Sequence, residues 1–198
     1  MIIKNINIMK KKNKILNFDN YFKLYEKLIN NEDNKSKINK IIYKFKSLKK
    51  NKGKLILIGN GGSAASASHL MVDFTKNAKI KAINFNETSL ITAFANDYGY
   101  ENFLVNALKF YSKKKDIVIF MSVSGNSPNL INALKYCKSK KLDTITFSGS
   151  KKNNYLFKNG GINIYINSMA YNIVECIHLM LLTFVVDSLK GKAIYKVK

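Results

Sequence analysis

The chain has 198 residues, 46% of them hydrophobic and 12% aromatic, with one proline and two cysteines. That fills one domain with at most a helical extension and excludes a disordered or collagen-like chain, while two lone cysteines, Cys137 and Cys176, exclude a disulfide framework and fit a reducing cytosol. The formal charge of +22 first suggests a polyanion or an anionic membrane.

The basic residues argue against that suggestion. All 34 are lysine and none is arginine, the side chain whose planar fork reads guanine and phosphate. Heavy use of Lys, Asn and Ile fits AT-rich codons better than a nucleic-acid partner, and no specific nucleic acid is expected. The charge concentrates at the start, where residues 1–54 carry 16 lysines and four acids.

In chain order, residues 1–17 read as a disordered tail without the apolar core of a signal peptide, and Met9 is an alternative start. Residues 18–198 read as a single domain that includes an N-terminal helical extension. Residues 19–32 and 35–50 space their apolar side chains as two amphipathic helices, broken by Asn and Asp at 30–34. The run LILIG (55–59) reads as a buried parallel strand opening into a loop. A helix is predicted at 64–76, a strand at 81–85, helices at 88–95 and 101–112, a strand at 117–122, a helix at 128–140, strands at 144–147 and 162–166, and a helix at 170–190. Apolar strands alternating with helices define the α/β class, with a parallel sheet covered on both faces. The longest apolar run, Cys176–Val186, contains His178 and is shorter than the roughly 20 residues of a membrane span, so no membrane partner is expected.

Two strand ends resemble each other. The first reads Gly59-Asn60-Gly61-Gly62-Ser63; the second reads Ser122-Val123-Ser124-Gly125-Asn126-Ser127 and runs into Pro128 at a first helical position. Glycines let the backbone approach a ligand, and serine hydroxyls with free helix N–H groups hold an anion. Neither loop is a Walker A or GxGxxG motif, and no nucleotide cofactor is expected.

Together GNGGSAASASH (59–69), ANDYG (95–99) and SVSGNSPN (122–129) resemble the SIS (sugar isomerase) domain, in the branch of the phosphoheptose (sedoheptulose 7-phosphate) isomerases. The likeness runs from about residue 18 to 190. It implies a three-layer α/β/α sandwich with a five-stranded parallel sheet, N-terminal helices that help build a homotetramer, and active sites between subunits. It implies a phosphosugar contacted by Ser122, Ser124 and Ser127, by Asn60, Gly61, Gly62 and Ser63, and by Asn96 and Asp97.

A ketose–aldose isomerase must also move a proton between C1 and C2 and polarise a carbonyl. His69 and Asp73 stand at i and i+4 on one predicted helix face, where the resemblance implies a histidine and a glutamate that bind zinc and serve catalysis. The last helix departs from the family, with Val174 and Leu182 at the positions of its glutamine and histidine ligands. His178 lies midway between them on the same face and is expected to complete a set with His69 and Asp73, as catalytic residue and Zn²⁺ ligand. Glu175 is expected to orient the His178 ring. Tyr98, Tyr100 and Tyr171 flank the loops as secondary candidates. The function expected is cytoplasmic conversion of sedoheptulose 7-phosphate to an aldose for surface polysaccharide (lipopolysaccharide) synthesis. The alternatives are altered chemistry on another phosphosugar and phosphosugar binding without catalysis.

Overall fold

The computed structural model describes residues 17–194, so the predicted tail lies outside the described residues apart from Asn17. Five apolar residues form strand β1 (Leu55–Gly59), and all are buried because helices cover both of its faces. Before it stand α1 (Phe18–Ile29) and α2 (Glu32–Lys50). After it come α3 (Gly61–Lys76), β2 (Ala82–Asn84), α4 (Thr88–Tyr98), α5 (Phe103–Tyr111), β3 (Ile117–Ser122), α6 (Pro128–Ser139), β4 (Asp143–Ser148), α7 (Tyr155–Asn159), β5 (Ile162–Tyr165) and α8 (Tyr171–Lys190).

The strands form one parallel sheet in the order β2-β1-β3-β4-β5. The chain goes from β1 out to one edge at β2, then returns to the other side of β1 at β3. The sheet therefore has its topological switch point between β1 and β3, where Gly59 pairs with Met121. In such sheets the loops leaving the two strands diverge there and open a crevice.

Side-chain alternation divides the core in two. Leu55 and Leu57 of β1 and Ile117, Ile119 and Met121 of β3 pack with α2, α3 and α8. Ile56 and Ile58, with Val118 and Phe120, pack on the other face against α5 and α6. Asn31 and Asn34, within the segment predicted to break the first helices, have defined roles. Asn31 caps α2 by accepting from Asn34 N (2.9 Å). The buried Asn34 amide donates to Tyr165 O (2.8 Å) and accepts from Tyr165 N (3.3 Å), which covers part of the β5 edge.

The structure shifts several expected boundaries and corrects the membrane expectation, and α2 starts at Glu32, inside the segment 30–34 expected to break the helices. Helix α3 starts at Gly61, three residues early, and α4 runs on to Tyr98. Helix α7, absent from the predicted elements, is a five-residue turn capped by Asn154. The expectation that no segment is long and apolar enough to span a membrane is corrected. Helix α8 has 20 residues and contains an 18-residue stretch with a mean hydropathy of 1.6, sufficient by length and composition. Packing accounts for part of that apolarity, because Ile173, Val174, Ile177, Leu182, Val185 and Val186 are buried in the core, while Met180 and Phe184 stay exposed.

At the opposite end of the sheet from the crevice, Asp116 ties the starts of β1 and β3. It is 2% exposed, accepts from Lys54 N (3.1 Å) and Lys113 N (2.8 Å), and forms an ion pair with Lys54 Nζ. Asp116→Ala orphans two backbone donors and one ammonium. It should lower stability by about 2–3 kcal/mol in urea unfolding, whereas a loss under about 0.5 kcal/mol would show that water replaces the carboxylate.

Candidate active site

Asn60 follows β1 and Asn129 lies in the first turn of α6, after β3. Asn60 Nδ2 donates to Asn129 Oδ1 (3.0 Å), and Asn129 Nδ2 donates back to Asn60 Oδ1 (2.9 Å). Tyr100 Oη adds a third bond to Asn60 Oδ1 (3.3 Å). With Asn129 2% exposed, this paired amide holds the two diverging loops together beneath the crevice.

The pairing also leaves the α3 end open, and the α6 end is open as well. Asn60 is the N-cap of α3 and Ser127 that of α6, yet neither side chain caps its helix. Two helix N-termini with uncapped N–H groups thus border one cavity, each the positive end of a helix dipole.

The serine loop is braced from below. Ser122 Oγ accepts from Gly125 N (3.1 Å) and Ser124 Oγ from Asn126 N (3.3 Å), and the two hydroxyls lie 3.5 Å apart, so when one donates to the other the second keeps its proton for a ligand. Gly125 sits at φ +64°, and a Cβ there would lie 2.1 Å from Asn154 Oδ1, so only glycine fits. Helix α7 supports this turn. Leu156 N donates to Gly125 O (3.0 Å) and Tyr155 N to Asn126 Oδ1 (2.8 Å). The Asn154 amide, 1% exposed, donates to Ser148 Oγ, Gly149 O and Lys151 O.

Between the loops lies a cavity of about 420 Å³, within the range of small-molecule sites. Its walls are Asn60, Gly61, Gly62 and Ser63 on one side and Ser122, Val123, Ser124 and Ser127 on the other, with Tyr171, Asn172 and Glu175 from α8. Of the expected sugar and phosphate contacts, those on both loops come together here. Asn96 and Asp97 do not: they sit exposed at the end of α4, bonded to each other (3.0 Å).

The α8 expectations are corrected. Val174, His178 and Leu182 do share one face, but that face turns into the core, with Val174 and Leu182 fully buried and His178 1% exposed. His178 Nε2 lies 3.4 Å from Ser148 O, its ring packs edge-on against Phe147, and Nδ1 has no partner. Glu175 does not orient it. That carboxylate faces the cavity and accepts from Ser63 Oγ (3.3 Å). His69 Nε2 and Asp73 Oδ2 are within hydrogen-bond distance (3.0 Å), as the i,i+4 spacing predicts, but His69 is more than half exposed and neither lines the cavity. A catalytic zinc takes three protein donors and one open position. Among the described residues no three His, Cys, Asp or Glu side chains gather in that way, so His69, Asp73 and His178 do not form the expected zinc set in this chain. Tyr171 was a secondary candidate. Asn172 also lines the cavity, and no motif or spacing in the sequence marks it.

Burial pushes the His178 imidazole down to about 4, against an ordinary value of 6.5. The unfolded chain therefore binds this proton before the folded one does. His178 favours the folded state above pH 6.5, and this contribution is lost as pH falls toward 4, by about 3 kcal/mol in all. Urea titrations at pH 7 and pH 4 should show this loss in the wild type and lack it in His178→Leu. An equal pH dependence in both would mean that the ring charges freely in the fold.

The SIS domain family profile matches residues 18–149. Phosphoheptose isomerase of Fusobacterium nucleatum is 30% identical over 190 residues, covering 90% of this chain and 94% of that one. Phosphoheptose isomerase 2 of Campylobacter jejuni is 39% identical over 107 residues, about half of each chain. A solved phosphoheptose isomerase from Francisella tularensis superposes with a TM-score of 0.78 at 20% identity, covering 88% of this chain and 96% of that chain, a likeness of fold. The profile spans more than half of the chain, and the chain belongs to the SIS domain family.

Proposed function

We propose that this chain is a phosphosugar isomerase that converts sedoheptulose 7-phosphate to the corresponding aldose phosphate, in the cytoplasm, for heptose and surface polysaccharide synthesis. The observation that carries the reading is the crevice itself: a serine loop and two uncapped helix N-termini facing one cavity at the switch point. The full-length similarity to a phosphoheptose isomerase supports the choice of sugar.

The phosphate belongs on the serine side. Ser122, Ser124 and Ser127 offer hydroxyls and the α6 terminus offers N–H groups, while Glu175 on the other wall repels a dianion. That favours one direction for the substrate. The phosphate lies toward α6, and the carbonyl end lies toward Gly61, Gly62, Ser63 and Glu175. Among the described residues no lysine lines the cavity. The chain's lysines act at a distance, as a positive field that gathers an anionic sugar.

Assembly into a homotetramer is part of the proposal. Phe18, Phe22 and Leu24 of α1 and Met180 and Phe184 of α8 leave large apolar side chains exposed. That is more unpartnered apolar surface than a single copy needs.

In D₂O, the wild-type protein should convert sedoheptulose 7-phosphate to an aldose with deuterium at C2, read by NMR. Binding without conversion or exchange would contradict the isomerase reading. Ser124→Ala should raise KM about tenfold, the loss of one hydrogen bond to a charged group, and change kcat less. An unchanged KM would move the phosphate off this loop.

A further inference from the structure

A phosphate cradle does not move a carbon-bound proton, and the residues first expected to do so lie elsewhere. His69 and Asp73 face outward, and His178 is sealed in the core. We propose that Glu175 is the catalytic base, and that it works without a metal ion. This inference rests on the isomerase reading above.

Three observations support it. First, Glu175 is the one carboxylate lining the cavity among the described residues, and no imidazole lines it. Second, its approach to the α3 terminus depends on Gly62, where an added Cβ would come within 2.3 Å of Glu175 Oε2. A side chain at residue 62 would displace the carboxylate. Third, Ser63 Oγ holds Oε1 at 3.3 Å, while no other hydrogen-bond donor reaches the group among the described residues. One oxygen is thus positioned and the other, lying against Gly62, accepts no hydrogen bond among the described residues, which leaves it free to take a proton as a general base must.

The step balances with no added reactant. Glu175 takes a proton from C1 as the C1–C2 double bond forms and the carbonyl electrons move onto O2. The uncapped N–H groups at the start of α3 stand beside that oxygen and stabilise its charge, as an oxyanion hole does. The O1 hydroxyl proton passes to O2 across the cis-enediolate. Glu175 then returns its proton to C2 as the C1–O1 carbonyl forms. Substrate and product are isomers, nothing is oxidised overall, and the carboxylate is regenerated.

The test uses the full chain and sedoheptulose 7-phosphate. Glu175→Gln keeps the shape and removes the base. It should lower kcat and C1 deuterium exchange on the order of 10³-fold, with calorimetric affinity for the substrate within about threefold of wild type, the expected sparing of a group that acts mainly in the transition state. Retention of kcat within about fivefold, in a wild type that turns over, overturns this inference and leaves the isomerase reading standing. A wild type that neither converts nor exchanges the sugar overturns both. Chelated wild type gives an answer that needs no variant. With zinc removed, as verified by mass spectrometry, it should keep its rate. Loss of activity that returns only with added zinc overturns the metal-free step.

Discussion

The site depends on a pair of amides. Asn60, just after β1, and Asn129, in the first turn of α6, stand 69 residues apart in sequence, and their reciprocal bonds of 3.0 and 2.9 Å close the floor where the sheet changes direction. A parallel sheet with this strand order necessarily opens a crevice between β1 and β3. It does not by itself fix the width of that crevice. The paired amide does, and because Asn60 spends its side chain there, the α3 terminus stays uncapped and available to a ligand. One side-chain choice therefore serves both packing and chemistry.

Around that floor the two walls differ in character. The serine wall is braced by α7 through Asn154 and offers neutral donors to an anion. The α8 wall brings a carboxylate against a glycine. A phosphate and a carboxylate repel each other, which is why the proposed orientation puts the phosphate on the serine wall. The +22 charge, which first pointed to nucleic acid or membrane, places no lysine in the cavity lining among the described residues, and its proposed part is a field around the site.

Much of this was legible in the sequence. LILIG and IVIFMS mark buried parallel strands, and the two Gly/Ser loops that follow them line the cavity. Helix α7 was not legible, because YLFKN is too short to show a helical period, and Asn154 was its one local signal. The start of α3 was misplaced because Gly61 and Gly62 read as loop residues, although a helix terminus that must admit a carboxylate favours them. Helix α8 gave the largest error. Periodicity correctly grouped Val174, His178 and Leu182, but spacing gives no azimuth relative to the sheet. With apolar residues around most of its circumference, α8 has no polar stripe to mark which face meets water. The site residue was Glu175, one position along from Val174 and on a different face.

The most direct test is a crystal structure of the protein with sedoheptulose 7-phosphate bound. The account predicts the phosphate on the loop from Ser122 to Ser127, C1 and C2 within about 3.5 Å of Glu175, and the Asn60–Asn129 pair unbroken beneath them. A substrate whose C1 and C2 lie against His69 and Asp73, or whose phosphate sits at the α3 terminus beside Glu175, would contradict it.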